Sequence, residues 1–316
     1  LVSSLKRAKW LDDEVIDLGL VRAPEYGLEK AEIINAFSTV LHSQLAKVAP
    51  QEFASVNSVN NFIFKSPHFL VIMDEIVDLF IARFRPDGKG ISDADYHTKD
   101  AALTERITAI HYEAARVLLL GALNVTQYCL KTNLYHEDRY SLAMRLDPRV
   151  MVSEESGDPM PFGIVFATGR NFTFFHNRFR DVARGGLRVV TPPNSEQHAL
   201  ESTRVYGECY GLSWAQQLKN KDIPEGGSKA VCLVNTPAME PEDRHLECRK
   251  AVRGAVDAIL DVTVKESVQK MADHYGKDEQ IFLGPDEQVV PSDCDWICQR
   301  AGERGYPNPM AFMSSK

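Results

Sequence analysis

No run of 18 or more apolar residues occurs in the 316-residue sequence; its most apolar stretch, 69–80, is broken by Asp74 and Glu75, so no membrane-spanning helix is expected. An excess of positive charge is lacking too. Lys and Arg number 36 against 44 Asp and Glu, a formal net charge of −8 at pH 7, which argues against general binding to nucleic acid or anionic membranes while leaving room for a local basic pocket that takes a small anion. Cysteine is sparse: Cys129, Cys209, Cys232, Cys248, Cys294 and Cys298 follow no framework spacing. Cys294 and Cys298 lie four apart on an expected helix, but no second C-x-x-C or histidine pair completes a zinc set, and reduced thiols in an intracellular protein are expected. His42, His68, His97, His111, His136, His176, His198, His245 and His274 are scattered singly and read as structural or exposed. No G-x-x-x-x-G-K-[ST] loop is present and no G-x-G-x-x-G joins a strand to a helix, so the chain shows no dinucleotide site of its own. The first residues lack both an initiator Met and the regions of a signal peptide, and the last lie just after an apolar run; a piece of a longer protein is expected.

What is present is an ordinary globular composition, 44% hydrophobic and 25% charged, enough for about two domains of roughly 150 residues. Apolar residues at helical spacing (Ile33, Ile34, Phe37, Val40, Leu41, Leu45) predict an amphipathic helix over 29–48. Two more are predicted over 67–84 and 100–131, with the PDGKG stretch at 86–90 as the turn between them. Near 135 the character changes to short β-branched and aromatic runs (RYSLAMRL, PFGIVFAT, FTFFHNRF, GGLRVV), with Gly169-Arg170-Asn171 as a hairpin turn. A helix over 195–219, a strand over 229–234, a long helix over 240–274, a strand over 281–284 and a helix opened by Pro291-Ser292 follow, with Ser292 and Asp295 as a capping-box-like start. Strands alternating with helices predict an α/β fold, a mixed sheet flanked by helices behind a helical N-terminal region. The expected division is a helical region over 1–135 and a substrate-binding α/β domain over 136–316.

Two segments place basic residues beside paired glycines: Ala183-Arg184-Gly185-Gly186-Leu187-Arg188, and the stretch 218–229, LKNKDIPEGGSK. Paired glycines permit close backbone approach to a ligand and positive φ. Lys229 stands directly after Gly226-Gly227-Ser228 and at the entry to the apolar run AVCLV. Partial desolvation there disfavours its charged form, which suits a lysine acting on a carbonyl as acid, base or electrostatic clamp.

The ordered runs ARGGLRV, YGLSWAQQLKNKDIPEGGSKAV and FLGPDEQVVPSDCDWICQRAGERGYPNPMAFMSSK resemble the large NAD-dependent glutamate dehydrogenases of the fungal and protist type. The resemblance covers about 138–316 and extends more weakly over the helical part. In smaller glutamate dehydrogenases the corresponding elements are KGGIR, a lysine preceding P-x-G-G-x-K, and an aspartate after the next strand. The resemblance implies oxidative deamination of L-glutamate to 2-oxoglutarate and ammonium, with NAD held mostly by a Rossmann domain expected after residue 316. Lys229 then matches the catalytic lysine that stabilises the carbonyl or carbinolamine oxygen and activates water. Asp286 matches the aspartate that shuttles protons to ammonia and the iminium. Lys219 matches the lysine that holds the α-carboxylate, with Lys221 as the alternative. Arg184, in place of the KGGIR lysine, faces the distal carboxylate with a bidentate grip, and Gly185 and Gly186 supply close backbone approach. The resemblance further implies a homo-oligomer of the mitochondrion or cytosol, and that this piece alone is inactive.

Other readings stand beside this one. Asp286-Glu287 reads as a loop after a strand rather than a metal site, for want of a second carboxylate or histidine cluster nearby. Phe172, Phe174, Phe175 and Phe179 read as an aromatic strand on a core rather than an RNA platform. The rival functions are a related dehydrogenase of apolar amino acids, which lacks a need for Arg184, and a non-catalytic module that senses an amino acid.

Overall fold

The computed structural model describes residues 7–86, 88–219, 223–237 and 239–314. Helix α1 (Asp13–Asp17) opens at Asp12, whose carboxylate accepts the backbone N–H of Glu14. Helix α2 (Gly27–Val48) buries Ile33, Ile34, Phe37, Val40, Leu41 and Leu45, the residues whose spacing predicts it. Helix α3 (Val56–Lys65) has no counterpart among the sequence expectations; it begins with a capping box in which Ser55 and Ser58 each accept the other's backbone N–H. Helix α4 (Pro67–Arg83) starts on its proline, where the missing N–H costs nothing.

The single helix expected over 100–131 is two, α5 (Asp93–Thr108) and α6 (Glu113–Tyr128), followed by strand β1 (Cys129–Thr132). One helix of that span would be about 48 Å long. The break at 109–112 instead lets Leu103 and Ile107 of α5 and Leu118, Leu119 and Leu123 of α6 reach the same core. The helix expected over 240–274 also ends early. It runs from Pro241 to Thr263 as α8, and a short α9 (Lys265–Val268) follows Val264, whose extended backbone breaks the helix.

The remaining strands are β2 (Ser141–Leu146), β3 (Gly163–Gly169), β4 (Phe172–Arg178), β5 (Ala183–Val190), β6 (Gly226–Val234) and β7 (Phe282–Pro285). Helix α7 (Ser195–Leu218) connects β5 to β6. The strands form one seven-stranded mixed sheet in the order β1-β2-β3-β4-β6-β5-β7. Strands β1 to β4 and the β4–β6 pair are antiparallel; β5 runs parallel to both β6 and β7. The β3–β4 turn uses Asn171 at φ 60°, a conformation that asparagine tolerates.

Side chains alternate across this sheet. Val231 and Leu233 of β6 join the core shared with α2 to α7, and Ala230, Cys232 and Val234 join the core under α8 and helix α10 (Pro291–Glu303). Phe174 and Phe175 are buried on opposite faces, so the aromatic strand is a core strand. Each fully buried large apolar side chain contributes about 1.5–3 kcal/mol. Helix α10 begins at Pro291 as expected, but its cap differs: the carboxylate of Asp293 accepts the backbone N–H of Val290 at 3.0 Å, and Ser292 lies inside the helix. A short α11 (Pro309–Phe312) closes the described chain. No helix among the described residues is long and apolar enough to cross a membrane.

Candidate active site

Strands β5, β6 and β7 lie side by side, and their register brings the two glycine-rich segments together. Arg184 of β5 stands opposite Gly227 of β6 and Phe282 of β7, and Gly186 stands opposite Gly284. Lys229, three residues into β6, is paired across the sheet with Asn177 of β4. Strand β7 ends at Pro285, and the backbone N–H of Asp286 donates to the carbonyl of Leu187 at 3.2 Å. That bond holds Asp286 alongside β5, and its carboxylate accepts a hydrogen bond from the Lys229 ammonium.

The paired glycines do not take the conformation expected of them. Gly185, Gly186, Gly226 and Gly227 are all strand residues, and none is among the positive-φ glycines. Their use is close approach of protein to protein. A Cβ on Gly185 would lie 1.6 Å from the carbonyl oxygen of Ser228, and one on Gly186 would lie 2.8 Å from Cβ of Asp286. The first glycine lets β5 close on β6; the second lets Asp286 cross β5 to reach Lys229.

Desolvation of Lys229, the sequence expectation, is met: the residue is 6% exposed. Asp286 is more open, its side chain 31% exposed. Partial burial pushes the Asp286 carboxyl up, but the hydrogen bond and charge of Lys229, the backbone N–H of Glu287 and the charge of Arg188 outweigh it, so the group sits below the ordinary carboxylate range. In this state Lys229 and Asp286 are a closed ion pair.

The other expected site residues lie around this pair. Arg184 is on the rim, its side chain 41% exposed, donating to Ser314 Oγ at 3.1 Å and lying 3.7 Å from Glu225. The C-terminal end of α7 is laid on the start of β6 by a hydrogen bond from the Gly227 N–H to Gln217 Oε1 at 2.8 Å. Lys219 follows two residues later, exposed, at the helix C-cap. Lys221 lies outside the described residues.

Arg188, which the sequence places beside the paired glycines without a firm role, and Glu208, which sequence reasoning does not select, complete the arrangement. Arg188, two residues along β5 from Gly186, has Nε 3.7 Å from Asp286 Oδ2 and 3.6 Å from Glu287 Oε2. Its Nη1 donates to Glu208 Oε1 of α7 at 2.6 Å. Lys229, Asp286, Arg188 and Glu208 thus form a line of alternating charge across β6, β5 and α7. Twenty residues separate Arg188 from Glu208, and no short motif signals the contact. Glu208 also lines a cleft of about 700 Å³ between α2 and α7, bordered by Gln44, Lys47, Met151, Arg204 and Tyr206. Lys229 and Asp286 do not line it.

The arrangement offers a buried ammonium, a partly exposed carboxylate beside it and basic side chains on the rim, the means to bind an anionic substrate and move protons next to it. Comparison with known proteins agrees with the resemblance read from the motifs. Residues 102–281, more than half of the chain, match the family of the bacterial NAD-glutamate dehydrogenase, catalytic domain. The chain is 35% identical over 222 residues to the NAD-specific glutamate dehydrogenase of Neurospora crassa, covering 69% of this chain and 20% of the fungal one. It is 36% identical over 201 residues to the NAD-specific glutamate dehydrogenase of Saccharomyces cerevisiae (63% and 18%), and 35% identical over 207 residues to glutamate dehydrogenase 2 of Dictyostelium discoideum (66% and 19%). The chain spans about a fifth of the length of these curated relatives. The chain belongs to the family of the bacterial NAD-glutamate dehydrogenase catalytic domain.

Proposed function

We propose that this chain is the substrate-binding and catalytic part of an enzyme that converts L-glutamate, water and NAD⁺ to 2-oxoglutarate, ammonium, NADH and a proton. The observation that carries the reading is the pairing of Lys229, almost fully buried, with Asp286. In the working complex Lys229 turns from Asp286 to the substrate's carbonyl or carbinolamine oxygen, where its ammonium stabilises developing negative charge. Asp286, released from its partner, then accepts and returns the protons of the amine and of water. Arg184 and Lys219, or Lys221 in its place, hold the two carboxylates, with Gly185 and Gly186 allowing the backbone to come close.

NAD is the cofactor of this reaction and supplies the hydride acceptor. The chain lacks a G-x-G-x-x-G turn, and α7, which follows β5, opens after Thr191-Pro192-Pro193-Asn194 rather than on glycines. These residues do not make a dinucleotide cradle, so the nucleotide is held elsewhere in the natural full-length protein. Within this chain the α/β part from 136 onward binds substrate, and helices α2 to α6 of the helical region cover one sheet face. The natural enzyme is a homo-oligomer of the mitochondrion or cytosol, and this piece alone does not turn over.

The test is a calorimetric titration of the full-length protein with 2-oxoglutarate, using succinate as competitor. Arg184→Ala weakens binding roughly 10- to 100-fold, the value of a charge-assisted hydrogen bond of about 1.5–3 kcal/mol, and Lys229→Ala weakens it as well. Binding that neither substitution changes would sink the reading.

A further inference from the structure

Arg188 is held by one carboxylate while facing two others. Nη1 is engaged by Glu208, whereas Nε is buried without a hydrogen-bond partner among the described residues, 3.7 Å from Asp286 and 3.6 Å from Glu287. The guanidinium is therefore drawn toward α7 and stops short of a hydrogen bond to Asp286. The charged groups around Asp286 are Lys229 from β6, Arg188 from β5, Glu208 behind Arg188 on α7, and Glu287 beside it in sequence; Arg249 of α8 reaches the same loop, donating to the Gln288 carbonyl at 2.7 Å.

This geometry has a chemical consequence when Lys229 leaves for the substrate. The charge of Arg188, 3.7 Å away, already lowers the proton affinity of Asp286, and a direct hydrogen bond to the carboxylate would lower it further. If Arg188 were free, it would close the last ångström and replace Lys229 as the partner of Asp286. The carboxylate would then stay too acidic to take a proton near neutrality. We infer that Glu208 is a positioning residue that holds Arg188 off Asp286, so that departure of Lys229 leaves Asp286 a competent base. The inference rests on the roles proposed above for Lys229 and Asp286, and it adds a residue outside the motifs that identify the family.

The test compares full-length wild type, Glu208→Gln, Arg188→Met and the double variant in pH profiles of kcat for glutamate oxidation. Glu208→Gln frees Arg188, makes Asp286 more acidic and moves the acid limb down by about one pH unit, while a weaker base lowers the plateau of kcat and KM for glutamate stays within about twofold. Without Arg188 the same substitution has nothing to release, so the double variant matches Arg188→Met. A shift equally large in the Arg188→Met background, or no shift at all, overturns the inference. A second readout needs no turnover. In a Lys229→Met background, which imitates the departed lysine, the Asp286 carboxyl band is followed by infrared pH titration and assigned by its loss on Asp286→Asn. Glu208→Gln moves that titration to lower pH when Arg188 is present and not when it is Met; an unmoved titration overturns the inference. Absence of glutamate oxidation by the wild type counts against the proposed function alone, since the infrared titration still decides the role of Glu208.

Discussion

A methyl group on Gly186 would stand 2.8 Å from Cβ of Asp286 and 3.1 Å from its Oδ2. The glycine is what allows the aspartate to lie across β5 against Lys229. Gly186→Ala therefore pushes Asp286 outward while leaving the strand ladder intact, and a displacement of about 1 Å at a reacting group costs on the order of 10²-fold in rate. Activity should fall by that order with the circular dichroism spectrum and melting temperature close to wild type. Gly185→Ala offers the contrast: its Cβ meets the Ser228 backbone at 1.6 Å, so it should lower stability as well. Equal activity in wild type and Gly186→Ala would refute the placement of Asp286.

Glu279 gathers three cations from three strands. Lys131 of β1, Arg145 of β2 and Arg178 of β4 all point at its carboxylate, and all four side chains are at most 2% exposed. Burial pushes the Glu279 carboxyl up, but the charges of Arg145, Arg178 and Lys131 prevail and hold it below its ordinary value. Removing this anion leaves Lys131 and Arg145 without it and Arg178 with only the exposed carboxylate of Asp181 at 3.9 Å, and Glu279→Gln should cost about 3–5 kcal/mol at pH 7. Since the folded group titrates below the unfolded one, near 4.3, its stabilisation is complete above that pH and is lost as pH falls through the folded value. In urea titrations the gap between wild type and Glu279→Gln should narrow once the pH drops below about 4.3; a gap independent of pH would contradict the account.

His176 lies on the same sheet face as Arg145 and is 1% exposed, with no hydrogen-bond partner for either ring nitrogen among the described residues. Burial, helped by the charges of Arg178 and Arg145, pushes its proton affinity down to about 3. The unfolded histidine takes a proton near 6.5, so below that pH protons favour the unfolded chain and native stability declines until the folded value is reached. Replacement by Phe should remove a contribution of about 1.4 kcal/mol per pH unit between those limits. Denaturant melts at pH 7 and pH 5 check this, and an unchanged acid sensitivity in His176→Phe would count against a neutral, unpartnered ring.

Much of this arrangement is legible in the sequence, for identifiable reasons. The β-branched and aromatic runs mark β2 to β5 because strands buried on both faces need such residues continuously. Lys229 and Asp286 are legible through short motifs kept in order. The break between α5 and α6 is not, because Ile110 continues the apolar pattern and no glycine or proline marks the turn. Gly226 and Gly227 precede the strand expected over 229–234, yet they belong to β6, where a missing side chain serves packing rather than positive φ. Arg188 with Glu208, and Glu279 with its three cations, are charged residues far apart in the sequence. Their meaning comes only from the sheet register and helix placement that bring them together.

The most direct test of the account is the rate of NADH formation from L-glutamate and NAD⁺ by the natural full-length protein and by its Lys229→Met variant. The account predicts a wild type that oxidises glutamate and a folded variant slower by about 10²–10³-fold, the range of a lost donor to developing negative charge. A Lys229→Met variant as fast as wild type would contradict it.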